Sequence, residues 1–183
     1  MKKACVFLAA GFEEVEGLMI VDLLRRAGVE TYMVSVSGEK KVVGSHNIAV
    51  DADCLFEEMD YADVDLLMLP GGLPGTDNLM AHAGLEKLLR EFYAQGRYLA
   101  AICAAPSVFG KFGFLEGRRA CSHPCREDML TGAEVLKDPV VMDENIITGR
   151  GLGAAIPLGL KLISLLIDEE TAENVKNAIV YQC

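Results

Sequence analysis

Short runs of consecutive apolar residues alternate with helically spaced stretches along the whole chain, which confines the fold to βαβ units around a mostly parallel sheet covered on both faces. Runs 4–8, 30–36, 65–69 and 98–102 are apolar at successive positions, as strands buried on both sides are. Segments 140–142 and 146–148, split by Asp143-Glu144-Asn145, predict a hairpin or strand pair, and 41–50 predicts another antiparallel excursion. Leu85, Leu88, Leu89, Phe92 and Tyr93 recur at helical spacing before Gly96, which gives an amphipathic helix over 84–95. A helix over 13–27 ends in Arg25, Arg26 and Gly28, with cations at the negative end of its dipole. Segment 153–167 is apolar nearly all round, so it is either central or covered by a second subunit.

No repeat, low-complexity tract or linker interrupts this pattern, and a single α/β domain over 1–183 is expected. At 51% hydrophobic residues, a chain of this length buries about 70% of its unfolded surface. Seventeen Lys and Arg against 27 Asp and Glu leave a net charge of −10, which argues against nucleic acid and anionic membrane as partners. The apolar start breaks at Gly11 and runs into Glu13, Glu14 and Glu16, so it predicts a first strand of a cytoplasmic protein and not a signal peptide. Segment 153–167 contains Pro157 and Lys161 and falls short of the ~20 apolar residues of a membrane span. Six scattered cysteines (Cys5, Cys54, Cys103, Cys121, Cys125, Cys183) in a chain able to build a core predict reduced thiols, with Cys183 available for an adventitious intermolecular disulfide.

Run 98–102 leads straight into Cys103 and then a helical pattern, a strand-to-helix elbow that forces its central residue into a strained conformation at the sheet's carboxyl edge. Small residues are required on either side, and Ala101 and Ala105 supply them. The following helix aims its N-terminus at the sulfur, which predicts a lowered thiol pKa. The alternative is an inert, buried cysteine. Among the three glutamates of the first helix, Glu16 shares its stripe with Met19, Ile20, Leu23 and Ala27 and so faces the sheet, at the edge where ligands bind in this architecture. A carboxyl merely satisfied by backbone donors is the competing explanation.

Gly71 and Gly72 follow another buried run and could offer N–H groups to an oxyanion, or simply end a strand. They match neither a phosphate loop nor a dinucleotide loop. Cys121-Ser122-His123-Pro124-Cys125 is a poor zinc site without a fourth ligand. No metal or cofactor is expected. His123 is the best candidate base beside Cys103, a solvated loop histidine being the alternative, and Arg150 lies at the same edge.

Together Gly11-Phe12-Glu13-Glu14-Val15-Glu16, Ala100-Ala101-Ile102-Cys103-Ala104-Ala105-Pro106 and Ser122-His123-Pro124 resemble the ThiJ/PfpI superfamily, in particular the branch of the parkinsonism-associated protein deglycase and bacterial YajL. The resemblance extends through Leu69-Pro70-Gly71-Gly72 and Thr148-Gly149-Arg150-Gly151. It implies a flavodoxin-like sandwich, a homodimer, Cys103 as nucleophile, Glu16 as its carboxyl partner and His123 nearby. It further implies a glutathione-independent glyoxalase or protein deglycase acting on 2-oxoaldehydes or their glycation adducts without a cofactor. In that chemistry Cys103 adds to the aldehyde carbon, the N–H groups of Gly72 and Ala104 hold the oxygen, and Glu16 or His123 moves protons. A thiolate beside a carboxylate would be repelled, so the pair is expected to keep one proton on Glu16, which would also stabilise a sulfinate on Cys103.

Protease-like members place a histidine where this chain has Ala104, so a peptidase loses its base. No His-x-Glu pair of the amidotransferase type is present, and nothing provides a thiazole site for thiamine synthesis. His46 stands near where the human homologue has an arginine at the pocket rim, which leaves substrate range open. The rival function is a redox-responsive stress protein or chaperone without significant turnover.

Overall fold

A computed structural model describes residues 1–182; Cys183, the thiol available for an adventitious disulfide, lies outside the described residues. The strands are β1 (Lys3–Leu8), β2 (Glu30–Ser35), β3 (Lys41–Val43), β4 (Ala49–Asp51), β5 (Cys54–Leu55), β6 (Leu66–Leu69), β7 (Tyr98–Ile102), β8 (Arg119–Ala120), β9 (Glu134–Val135), β10 (Val140–Asp143) and β11 (Ile146–Gly149). The helices are α1 (Glu14–Arg26), α2 (Gly75–Ala81), α3 (Ala83–Ala94), α4 (Pro106–Lys111), α5 (Ala155–Leu166) and α6 (Glu169–Ala178).

Seven strands form the central sheet in the order β10-β11-β7-β6-β1-β2-β5, parallel except for the β10–β11 hairpin. This is the mostly parallel, helix-flanked architecture expected of a flavodoxin-like fold. Without the added edge strands, the order reverses direction between β1 and β6, the switch point where such sheets open a ligand crevice. The consecutive apolar positions divide between two cores. Ala4, Val6, Leu8, Met68 and Ile102 pack toward α1 and α5, whereas Cys5, Phe7, Leu67, Leu69 and Ala101 pack toward α3 and α4. The predicted excursion at 41–50 is a separate hairpin of β3 and β4.

The apolar segment 153–167 is α5 preceded by a short 3-10 turn, and it packs on α1 and α6 of its own chain. None of the residues of α5 is exposed, so its all-round apolar character requires no second subunit. Gly159 brings α5 close to α1, where a Cβ would collide with the Leu23 side chain. Gly159→Ala is therefore expected to cost about 1 kcal/mol, overpacking outweighing the gain in helix propensity. A urea midpoint equal to or above wild type would contradict this packing.

Candidate active site

Three loops meet at the carboxyl edge of β1, β6 and β7. In the first, Glu13 caps α1, its Oε2 accepting the Glu16 N–H at 2.7 Å. Glu16, one turn inside the helix, is 1% exposed and points under the sheet edge, as its place on the apolar stripe requires. In the second, the Gly71 N–H donates to Glu16 Oε2 at 3.0 Å, while the Gly71 carbonyl accepts the Glu13 N–H at 2.8 Å. A Cβ at Gly71 would lie 2.6 Å from both the Cys103 Cβ and Glu16 Oε2, so only glycine lets these side chains meet.

The third loop is the elbow. Cys103 has φ of 62°, the left-handed region that a side chain makes costly. Its N–H donates to the Gly149 carbonyl at 2.9 Å and its carbonyl accepts the His123 N–H at 2.8 Å, so β11 and the 121–125 segment hold the strained residue from both sides. Ala101 and Ala105 are fully buried, as the small-residue requirement predicts.

Cys103 and Glu16 face each other across Gly71, each shifting the other's ionisation, and the Ala104 and Gly72 N–H groups lie close enough to favour charge on the sulfur. Burial, then the Glu16 charge, push the Cys103 thiol up to about 12. The lowered thiol expected from the helix N-terminus is thus reversed in direction: α4 spans only six residues and its field is outweighed by burial and a facing carboxylate. Burial likewise raises Glu16 to about 7, with the Glu13 charge adding to it. Between about pH 7 and 12 the pair consequently holds one proton. Glu16 Oε1 is buried with no hydrogen-bond partner, a costly state for a carboxylate, while two N–H donors face the sulfur. These contacts lower the cost of moving that one proton from sulfur to Glu16, which gives the thiolate form able to attack.

The other expected residues are spread along the rim. His123 adjoins Cys103 through its backbone, and its exposed ring has Nδ1 3.0 Å from Cys125 Sγ. Arg150 is paired with Glu127 at 3.1 Å and bonded to the Lys137 carbonyl, and it shares a cavity of about 410 Å³ with His123, Pro139 and Leu152. His46 lies on the β3–β4 turn against Glu14. Cys121 is buried against Thr148, so it does not converge with His123 and Cys125. Two site residues escape the sequence pattern: Gly149, the anchor of the elbow, and Glu13, which orients Glu16. The acid three positions before Glu16 was the available signal for the latter, since that is the N-cap to N3 spacing.

The DJ-1/PfpI family model matches residues 2–165. Protein DJ-1 homolog B of Arabidopsis thaliana is 35% identical over 98% of this chain, which spans only 41% of that relative. Glutathione-independent glyoxalase DJ-1 of Schizosaccharomyces pombe is 29% identical, with 100% of this chain and 97% of the relative covered. The structure of oxidized Toxoplasma gondii DJ-1 matches with a TM-score of 0.96 at 34% identity, covering 100% of both chains.

Proposed function

Because the chain belongs to the DJ-1/PfpI family, we propose that it is a cofactor-independent cysteine enzyme converting reactive 2-oxoaldehydes, free or as early glycation adducts, to 2-hydroxy acids. The observation that carries this is a partly exposed Cys103 on a strained elbow, facing a buried carboxyl across Gly71 whose pKa is raised to about 7. The Cys103 thiolate adds to the aldehyde carbon and Glu16 gives its proton to the new alkoxide, forming a hemithioacetal. The Glu16 carboxylate then takes the proton from that carbon, and its return to the neighbouring carbon leaves a thioester of the 2-hydroxy acid. Water cleaves the thioester and restores the thiol, so the net change is addition of one water. In this reading the Gly72 and Ala104 N–H groups, which favour charge on the sulfur, also stabilise the charge that the adjacent oxygen gains. The S. pombe relative's name supports this substrate class. Lactate formed from methylglyoxal without glutathione tests the proposal, and its absence would refute it.

A second reading rests on the same pair. Oxidation of Cys103 by peroxide to a sulfinate would be stabilised by the Glu16 proton, in keeping with the oxidized state named for the T. gondii relative. We further propose a cytoplasmic homodimer. Among the described residues no helix is long and apolar enough to cross a membrane. The exposed apolar residues Val15 and Ile48 flank a groove lined also by Leu18 and Met19, a surface suited to a second copy. Light scattering is expected to give about twice the chain mass of 19.8 kDa, and a monomer at micromolar concentration would exclude the dimer.

A further inference from the structure

Cys103 adjoins a cavity that the carbonyl chemistry leaves unused. Its N–H donates to the Gly149 carbonyl and its carbonyl accepts the His123 N–H. The same two segments continue into the wall of the 410 Å³ cavity, where His123, Arg150 and Gly151 are joined by Lys137, Pro139 and Leu152. They meet there, since a Cβ at Gly151 would lie 3.7 Å from His123 Cδ2. A cavity of that size suits a molecule much larger than methylglyoxal.

Its charge runs against that of the chain. The protein carries a net charge of −10, yet the titratable side chains that line this cavity are His123, Lys137 and Arg150, with no carboxylate among them. Four other cavities are each lined by two carboxylates, so an acid-free lining is not the ordinary condition of this surface. Arg150 pairs with Glu127 at 3.1 Å and donates to the Lys137 carbonyl at 2.9 Å, which neutralises its own charge and fixes the Lys137 backbone beside it. Lys137 makes no ion pair among the described residues, and its neighbour Asp138 does not line the cavity. One cation is thus left uncompensated in a concave site whose walls also hold the backbone of the reacting cysteine.

We propose that this cavity is a substrate subsite for a carboxylate. The proposal rests on the carbonyl chemistry assigned to Cys103 and narrows it to 2-oxoaldehydes and early glycation adducts that carry a carboxylate of their own. With the aldehyde carbon bonded to Cys103, the rest of such a molecule runs past the His123 ring and its carboxylate meets the Lys137 ammonium. Pro139 and Leu152 cover the carbons between. A neutral 2-oxoaldehyde gains nothing from the subsite, so the charge discriminates between substrates.

Two matched probes, 4,5-dioxopentanoate and 4,5-dioxopentanamide, differ only in charge at the end far from the aldehyde. Wild type is expected to use the carboxylate with a kcat/KM about fivefold above that of the amide, the difference lying in KM and shrinking as salt is added. Lys137→Gln should abolish that preference, with the amide as the reference in each protein. Lys137 is exposed, so its replacement leaves the core intact. The same ratio in wild type and variant would overturn the subsite. Binding separates this result from the activity itself. In Cys103→Ala, calorimetry is expected to show 2-hydroxyglutarate bound about fivefold tighter than its 5-amide, and adding Lys137→Gln should remove the difference. If neither 2-oxoaldehyde is turned over, the enzymatic reading falls and the calorimetry still decides the subsite, equal affinities for acid and amide overturning it.

Discussion

Cys103→Ala is expected to lower kcat/KM for methylglyoxal by on the order of 10³-fold or more, because no other group in the site can form the covalent adduct. Cys121 is buried against Thr148, and Cys125 faces His123 outside the pair, so neither thiol substitutes. Alanine accepts the same φ of 62° at the same cost as cysteine, and both bonds that hold the elbow are made by its backbone. The variant should therefore stay folded, and lost turnover would report chemistry and not collapse. Lactate assays on both proteins, with thermal melts alongside, decide it. Turnover within tenfold of wild type would remove Cys103 from the reaction.

Glu16→Gln is expected to cost about 10²- to 10³-fold in kcat/KM, the range set by loss of general acid and base. It should also change the pH dependence. In wild type the pair holds two protons below about pH 7 and one above it, so activity should rise through about 7. Glutamine removes that step. Stability moves in the opposite sense. Glu16 is raised from 4.5 to about 7, so the folded state keeps its proton while the unfolded chain has already lost its own. The stability this proton contributes is fully present below about pH 4.5 and is lost as pH rises through about 7. The wild-type melting temperature should accordingly fall relative to Glu16→Gln across that window. Parallel melting curves, together with a retained rise in activity near pH 7 in the variant, would show that Glu16 is not the titrating partner.

Much of this was written in the residue pattern because burial on two faces leaves a local mark. Consecutive apolar residues identify β1, β2, β6 and β7 within a residue or so of their observed ends. The periodicity of Met19, Ile20 and Leu23 is enough to turn Glu16, and not Glu14, beneath the sheet edge. Elements without such a mark were invisible. The helix α6 buries only Ala172 and Val175, and α2 starts on glycine and carries one buried leucine, Leu79. Strand order and the Gly149 bond to Cys103 depend on tertiary pairing that spacing cannot encode. The thiol's direction was missed for a related reason: local dipole logic sees α4 but not the carboxylate that β1 and α1 deliver.

The elbow is seated by a carbonyl that comes late in the chain. Cys103 is held in its left-handed turn by Gly149, while its carboxyl partner lies near the start. During synthesis from the N-terminus, then, Cys103 leaves the ribosome well before β11 exists to anchor it. A nascent or truncated chain lacking that strand carries an ordinary flexible cysteine instead of a poised one. The strained turn is in this way incomplete until the last sheet strand docks, and thiol labelling of ribosome-stalled chains could follow the moment at which it is acquired.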